Sequence, residues 1–282
     1  MSTSPSTAAA ALSSATARLR AAGVPDPARD ARLLLAHAAQ VDAARVTLIA
    51  PEEIAPEIAE RFDHLIALRA VRVPVSHLIG KRAFYGRDFG VSRAVLDPRP
   101  ETEVLIDSAL SAPFESVLDL GTGSGCILIT LLAEQTHAWG IGVDLSEAAC
   151  LEASANAVRH AVQERAEILQ SDWFERVEGR FDLIVSNPPY LRAEEMASLA
   201  PELRDHEPRL ALTDEADGLS VYRLLAAHAQ QYLTAEGRLL VEIGWQQGQA
   251  VPAIFRDAGW ADVTLARDLD GRPRVVCAAK PA

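Results

Sequence analysis

The 282-residue sequence has only three cysteines, Cys126, Cys150 and Cys277, and none of them belongs to a Cys-x-x-Cys pair. They lie in apolar segments, so we expect small core residues in a reducing cytoplasm rather than disulfides. The seven histidines show no metal-ligand spacing, so we expect no metal site. Apolar runs stay well short of the roughly 20 residues that span a bilayer, which predicts no membrane attachment. The N-terminus lacks a positive segment before its small residues, so no signal peptide is expected.

Basic residues are also scarce. The chain carries 27 Lys and Arg against 39 Asp and Glu, a net charge of −12. Residues 1–75 hold eight of each sign, so the whole excess of negative charge lies in residues 76–282. Such a surface repels a phosphate backbone at long range. We therefore expect no direct nucleic-acid partner for the larger part of the chain.

The first of three segments, residues 1–72, has the pattern of a small helical domain. An alanine-rich helix should end before Gly23, and a second should run from Asp26 to about Gln40. A third helix is predicted for residues 56–71 from the spacing of its apolar positions. These residues contain no catalytic constellation. A stabilising cap and a partner-docking module are equally compatible with them.

Glycine and proline divide residues 73–103 into short apolar and aromatic pieces, among them Phe84-Tyr85 and Phe89-Gly90-Val91. This composition predicts a hairpin-like connector.

From residue 104 to 282, strand and helix patterns alternate. Helices are expected near 124–135 and 146–161, between strands. Such alternation predicts an α/β domain with a doubly wound, mostly parallel sheet and helices on both faces. Ligands bind outside the carboxyl ends of the strands in sheets of this kind. The seven predicted strands are 116–120, 140–144, 167–169, 181–186, 238–243, 263–266 and 274–278.

A glycine-rich turn follows the first of these strands. Its residues are Gly121, Thr122, Gly123, Ser124 and Gly125. Glycine allows a tight turn and the close approach of a ligand to the backbone. The spacing is G-x-G-x-G and not the G-x-G-x-x-G of dinucleotide folds, so a dinucleotide is disfavoured but stays open. A purely structural turn is the other alternative.

Acidic and aromatic residues follow the next two strands. Asp144 ends the second strand, where a carboxylate can accept both ribose hydroxyls of a nucleoside. It could instead cap the following helix, although Ser146 can fill that role. Asp172 and Trp173 follow the third strand, where the acid can accept from an adenine amino group and the indole can cover the base. Trp173 could equally be a core residue.

The fourth strand ends in Asn187-Pro188-Pro189-Tyr190. Proline lacks the N–H that a sheet needs, so the strand stops abruptly there. An amide side chain, rigid carbonyls and an aromatic ring then remain at its end. Together they can hold a planar amine or amide nitrogen, although Asn-Pro-Pro is also a plausible turn.

All four segments should lie on one rim of one sheet, and in this combination the chain resembles the class I S-adenosylmethionine-dependent methyltransferases. The Asn-Pro-Pro-Tyr sequence is similar to that of members that methylate planar amino or amide nitrogens. Over residues 25–279 the chain resembles, more narrowly, the release-factor glutamine methyltransferases (the PrmC/HemK family). The motifs that carry this resemblance are residues 84–86, 89–91, 98–103, 217–219, 222–223, 242–244 with Gln247, 267–268, Gly271 and 274–276.

The resemblance implies a Rossmann-like domain of seven strands that uses S-adenosylmethionine and releases S-adenosylhomocysteine. The substrate would be the glutamine of the Gly-Gly-Gln motif in class I peptide chain release factors. Residues 121–125 would line the methionyl and ribose part of the cofactor, Asp144 would hold the ribose, and Asp172 with Trp173 the adenine. Residues 187–190 would form the glutamine pocket, with Asn187 also bordering the cofactor, and residues 99–103 would close over the methionine end.

The implied chemistry needs no general base, because Asn187 Oδ1 and the Pro188 carbonyl can accept the two amide hydrogens and fix the nitrogen. Tyr190 would pack against the flat amide. We expect a cytoplasmic monomer.

Three alternatives stay open. A ribosomal-protein glutamine methyltransferase would share nearly every motif. A DNA or RNA adenine methyltransferase would share the Asn-Pro-Pro-Tyr chemistry, but the acidic charge and the lack of a target-recognition insertion disfavour it. An inactive adaptor that only binds partners is disfavoured because every position of the cofactor loop is intact.

Overall fold

The computed structural model describes residues 7–281. Contacts within the chain divide it into two compact units. The first comprises the residues up to Gly80 together with Ala200–His206, and the second comprises Lys81–Leu199 together with the residues from Glu207 onward. The first unit extends beyond residue 72, the boundary expected from the sequence. The reason is a short helix whose Val75, Leu78 and Ile79 pack against the helical core.

The helices and strands of the described residues follow the predicted order. The helices are α1 (Ala8–Ala21), α2 (Pro27–Ala39), α3 (Val46–Ile49), α4 (Pro56–Ala70), α5 (Val75–Ile79), α6 (Glu103–Leu110), α7 (Cys126–Glu134), α8 (Glu147–Arg159), α9 (Pro201–His206), α10 (Arg209–Leu212), α11 (Ser220–His228) and α12 (Ala250–Asp257). The strands are β1 (Lys81–Phe84), β2 (Arg87–Gly90), β3 (Ser116–Leu120), β4 (Trp139–Asp144), β5 (Ala166–Gln170), β6 (Phe181–Ser186), β7 (Leu233–Glu242), β8 (Ala261–Arg267) and β9 (Pro273–Ala279).

The first unit is helical, and the three helices predicted from the sequence are observed as α1, α2 and α4. Asp26 caps α2 by accepting a hydrogen bond from the backbone N–H of Arg29. The apolar faces of α1, α2 and α4 form one core. A buried guanidinium also belongs to this unit, because Arg69 contacts Asp30 at 2.8 Å and Glu202 at 2.9 Å. Glu202 lies on α9, so an ion pair attaches this helix to the rest of the first unit.

The second unit contains a seven-stranded sheet in the order β5-β4-β3-β6-β7-β9-β8. Neighbouring strands are parallel except that β9 runs antiparallel to both β7 and β8. The prediction of a mostly parallel sheet is confirmed. β7 starts at Leu233, earlier than predicted, because Leu233 pairs with Phe181 ahead of a register shift.

Alternate residues of the central strands point to opposite faces of the sheet, as the period of a strand requires. Leu118 and Ile184 belong to a core with Tyr222 of α11 and Phe255 of α12. On the other face, Val117, Leu183 and Val185 belong to a core with residues of α6, α7 and α8. Helices therefore cover both faces, and the doubly wound α/β prediction is confirmed.

The predicted hairpin is β1 paired antiparallel with β2. Its last residue, Gly90, donates its N–H to Asn156 Oδ1 at 2.7 Å. The side-chain amide of Asn156 in turn donates to the carbonyl oxygens of Gly90 and Ser124, both at 2.9 Å. One buried asparagine of α8 thus joins the hairpin to the glycine-rich turn.

Candidate active site

The glycine-rich turn after β3 has the backbone that its glycines allow. Gly121, Gly123 and Gly125 have φ values of +74°, +55° and +78°. A Cβ at Gly125 would lie 2.7 Å from the Ile129 side chain. The N–H groups of Gly121 and Thr122 both donate to the Val143 carbonyl at 2.9 Å, which fixes the turn against β4. Helix α7 begins at Cys126, two residues later than expected from the sequence.

The buried side chain of Asp119 stabilises this turn through two hydrogen bonds. Its Oδ2 accepts hydrogen bonds from the Thr122 hydroxyl at 2.7 Å and from the N–H of Leu128 at 3.3 Å. Burial raises the pKa of Asp119 to about 7, although the two hydrogen bonds oppose the shift. Asp119 was not among the residues predicted for the site. The signal that could have identified it is an acidic residue within an otherwise largely apolar strand.

Asp144 connects two loops at the end of β4. Its Oδ2 accepts the Gly123 N–H and its Oδ1 accepts the Ser146 N–H, both at 2.9 Å. Burial raises the pKa of Asp144, and these backbone hydrogen bonds oppose that shift. Helix α8 is capped by Ser146, which accepts from the Ala149 N–H at 3.3 Å. Asp144 is therefore not the cap, and each of its oxygens keeps capacity for a further donor.

The segment after β5 brings an indole to the same rim. Trp173 has a left-handed backbone, with φ of +47°. A Cβ at Gly121 would lie 3.9 Å from the Trp173 ring, so the indole lies against the glycine-rich turn. Asp172 is exposed beside it.

The loop after β6 begins where Ser186 donates its hydroxyl hydrogen to the Leu120 carbonyl at 2.7 Å. The side-chain amide of Asn187 donates to the Thr102 hydroxyl at 3.3 Å. Its Oδ1 accepts no hydrogen bond from any residue between 7 and 281. Asn187 therefore offers a free acceptor.

Most of the residues predicted for the site border one cavity in the second unit. The predicted residues in its wall are Gly121, Thr122, Gly123, Ser124, Asp144, Asp172, Trp173, Asn187 and Pro189. Gly125, Pro188 and Tyr190 are absent from the wall. The residues in the wall that sequence analysis did not identify include Ile127, Leu145, Ala149, Pro208 and Leu210.

Tyr190 lies on a neighbouring groove with Trp245 and Gln247. The Gln247 side-chain amide donates to the carbonyl oxygens of Tyr190 at 3.1 Å and Gly218 at 3.0 Å. Burial raises the pKa of Tyr190 to about 12, so its phenol stays neutral. Tyr190 therefore lies on this groove and not in the cavity wall, and its packing against the substrate amide stays a prediction.

The cavity wall combines apolar and charged side chains. Leu145, half exposed at 48%, supplies an apolar surface immediately after the strand-end carboxylate. Arg99 also belongs to the wall, and its guanidinium contacts both oxygens of the buried Glu207 at 2.6 Å. No cluster of His, Cys, Asp or Glu among residues 7–281 could hold a metal ion. Within the same residues, no helix has the length and apolar character to cross a membrane.

Solved structures show the same architecture. A methyltransferase from Pyrococcus furiosus matches with a TM-score of 0.55 at 16% identity, over 71% of this chain and 92% of that chain. The catalytic domain of hMettl16, in complex with an RNA hairpin of the MAT2A 3′UTR, matches with a TM-score of 0.59 at 14% identity, over 77% and 82%. Residues 90–204 also match the model of the methyltransferase small domain. The second unit has the class I methyltransferase fold.

Relatives with higher sequence identity show which methyltransferase family the chain belongs to. Residues 10–80 match the model of the PrmC N-terminal domain. A release factor glutamine methyltransferase of Cereibacter sphaeroides is 54% identical over 98% of this chain and 99% of its own length. The enzyme of the same name from Agrobacterium fabrum is 42% identical over 96% of each chain. The chain belongs to the release factor glutamine methyltransferase family, as its motifs indicated.

Proposed function

We propose that the protein transfers a methyl group from S-adenosylmethionine to the side-chain amide nitrogen of the glutamine in the Gly-Gly-Gln motif of class I peptide chain release factors. One observation carries the proposal. Asn187, with a free amide oxygen, borders the same cavity as the Asp144 carboxylate and the glycine-rich turn. The names of relatives that align over nearly their whole length support the choice of substrate.

The donor end of the cavity would hold the nucleoside. The carboxylate of Asp144 would accept the two ribose hydroxyls through the lone pairs that Gly123 and Ser146 leave free. Residues 121–125 would lie along the ribose and methionyl part, and Asp172 with Trp173 would contact the adenine. Bound S-adenosylmethionine supplies an electrophilic methyl group on a sulfonium, and S-adenosylhomocysteine is the product.

The acceptor end would hold the glutamine amide. Its nitrogen is a weak nucleophile because its lone pair is delocalised into the carbonyl. Asn187 Oδ1 and the Pro188 carbonyl would accept its two hydrogens, which orients the nitrogen and stabilises the positive charge that grows as the new N–C bond forms. The neutral phenol of Tyr190 cannot take a proton, and residues 187–190 contain no other base. The proton would leave to water after the bond has formed.

Tyr190 would guide the side chain rather than cover it. Its ring borders the groove that also contains Trp245 and Gln247, beside the cavity. We expect the substrate glutamine to enter across Tyr190, with Pro189 on the cavity wall. The helical unit, predicted as residues 1–72, would dock the release factor. A monomer acting in the cytoplasm is the expected form.

Labelled S-adenosylmethionine tests the proposal directly. The protein is incubated separately with purified release factors, ribosomal proteins and nucleic acid, and label transfer is measured. We expect label on the release factors alone. A release factor whose motif glutamine is replaced serves as the control and should stay unlabelled. Label on that control, on a ribosomal protein or on DNA or RNA would contradict the proposal.

A further inference from the structure

The side-chain amide of Gln247 links three loops of the second unit. Its Nε2 donates to the carbonyl oxygen of Tyr190 at 3.1 Å and to that of Gly218 at 3.0 Å. Its Oε1 accepts the backbone N–H of Gly244 at 2.9 Å. Tyr190 ends the acceptor loop, residues 187–190, whereas Gly218 lies in the turn before α11 and Gly244 follows β7. One half-buried side chain therefore bonds to the backbone of three separate segments.

The roles of these backbone groups fix the orientation of the Gln247 amide. A carbonyl oxygen can only accept and a backbone N–H can only donate, so the amide nitrogen faces the two carbonyls and the amide oxygen faces Gly244. A flipped amide would place its oxygen against two carbonyl oxygens. Both hydrogens of the amide nitrogen are used in these contacts. Gln247 therefore acts on the loops that it joins and not on a substrate directly.

The turn that shares this amide with the acceptor loop is itself held in place. Asp214 Oδ1 accepts the N–H groups of Ala216 and Gly218, both at 2.9 Å. A Cβ at Gly218 would clash with the Tyr190 carbonyl oxygen, so the turn and the acceptor loop are in close contact. Gln247 thus attaches the acceptor loop to a turn that has hydrogen bonds of its own.

The acceptor loop is stiff between its two ends. Residues 188 and 189 are prolines, whose rings fix φ near −65°. The loop starts from Ser186, the last residue of β6. At its other end the N–H of Leu191 donates to the Leu212 carbonyl at 3.0 Å, and Gln247 holds the carbonyl of the same peptide group. A displacement of that peptide group is therefore passed along the prolines to the rest of the loop.

We propose that Gln247 is a positioning residue for methyl transfer, because its hydrogen bond to the Tyr190 carbonyl holds the acceptor loop where the substrate amide binds. This inference rests on the proposed function, in which Asn187 Oδ1 and the Pro188 carbonyl accept the hydrogens of that amide. Gln247 touches no reacting atom. Its contribution is the position of the two acceptors.

Two variants of Gln247 with nearly the same size test the inference. Gln247→Met removes every hydrogen bond of the side chain, whereas Gln247→Glu keeps an acceptor for the Gly244 N–H and loses both donors. We expect both variants to lower kcat for release-factor methylation by about ten- to a hundredfold, the cost of a small misplacement at the reacting centre. The Kd of S-adenosylhomocysteine, measured by calorimetry, should stay within about threefold of wild type, because Gln247 is absent from the cavity wall.

Arg165 supplies a matched control, because its guanidinium also donates to backbone carbonyls of other segments. These are the carbonyls of Leu132, Gln135 and Ala138. Arg165 immediately precedes β5, at the amino end of that strand and away from the acceptor loop. Arg165→Met should lower the melting temperature and leave kcat and the Kd within about twofold of wild type. It separates the loss of structural hydrogen bonds from the misplacement of the acceptor loop.

The outcomes separate the inference from the proposed function. Wild-type kcat in Gln247→Met would overturn the inference. Wild-type kcat in Gln247→Glu would do the same, because the hydrogen bond to Gly244 would then account for the residue; this variant also decides the test if Gln247→Met fails to fold. An equal loss of kcat in Arg165→Met would attribute the effect to destabilisation. A wild-type protein that transfers no label to any release factor would overturn the proposed function and the inference with it.

Discussion

Replacement of Asp144 by alanine tests the donor end of the cavity. Each carboxylate oxygen already accepts one backbone N–H at 2.9 Å and can accept one ribose hydroxyl in addition. Hydrogen bonds to charged groups contribute roughly 1.5–3 kcal/mol each, so the loss of two costs at least about 3 kcal/mol. This corresponds to an increase in Kd of about a hundredfold. Asp144→Asn keeps one acceptor oxygen and should bind about tenfold more weakly than wild type.

Isothermal titration calorimetry with S-adenosylhomocysteine measures this effect without turnover. The variant also removes an acceptor from Gly123 and Ser146, so a matched control must lose backbone hydrogen bonds elsewhere. Asp182 supplies it, because its Oδ2 accepts the N–H groups of Glu115 and Ser116, both at 3.0 Å. Asp182 lies at the start of β6, on the rim opposite the cavity.

We expect Asp182→Ala to lower the melting temperature and to leave the affinity unchanged, since no ligand contact is lost. Asp144→Ala should lose affinity even at temperatures where it is fully folded. A Kd for Asp144→Ala within about twofold of wild type would refute the ribose assignment, because two charged hydrogen bonds cannot be lost at so small a cost. Equal losses of affinity in both variants would attribute the effect to folding.

Three further predictions concern the acceptor end and the buried acid. Asn187→Ala should lower the rate of methyl transfer by about 10²–10³-fold, the cost of removing one preorganised hydrogen-bonding group at the reacting centre. Its affinity for S-adenosylhomocysteine, measured by calorimetry, should stay within about threefold of wild type, and a normal single-turnover rate would contradict the pocket assignment. Gly218→Ala should slow transfer, because its Cβ would clash with the Tyr190 carbonyl oxygen, whereas Gly86→Ala, at a similar positive φ with nothing within 4 Å, should not. Equal transfer rates in the two variants would contradict the steric argument. Asp119 has a pKa raised to about 7, so its neutral form favours folding and the free energy of unfolding should fall as pH rises from about 4 to 7. Asp119→Asn should lessen that slope by up to about 1.4 kcal/mol per pH unit in urea titrations, and an unchanged slope would show that the acid does not titrate there.

The rim of the sheet was predictable because each of its loops follows a strand with a recognisable pattern and carries residue types with few structural uses. Three alternating glycines after β3 allow a tight turn and the close approach of a ligand, and two prolines after β6 end the strand abruptly, so together they indicated a site without coordinates. The bounds of β6 agree with the prediction for the same reason. A ribose-binding role for Asp144 could be preferred to an N-cap role because Ser146 could cap the following helix, and Ser146 is the cap observed.

Contacts between residues far apart in sequence were not predictable. Arg99 and Glu207 are 108 positions apart, yet their ion pair borders the cavity. Leu210, 52% exposed, has no periodicity that would mark it as part of a ligand pocket. The backbone carbonyl of Tyr190 accepts a hydrogen bond from the side chain of Gln247, which is 57 positions further along the chain. Local pattern carries no information about such pairings, because tertiary packing decides them.

The helical unit cannot be exchanged between relatives as one continuous segment, because it includes Ala200–His206. That unit is not a continuous stretch of sequence, since α9 is supplied by a segment that lies between two parts of the methyltransferase unit. A truncation that ends at Gly80 would leave Arg69 and Arg72 without Glu202, their shared carboxylate. Domain exchange between relatives therefore has to transfer α9 together with the N-terminal helices. Recombination at a single junction would separate Glu202 from the two arginines that it pairs with, and only Arg69 would keep another carboxylate, that of Asp30.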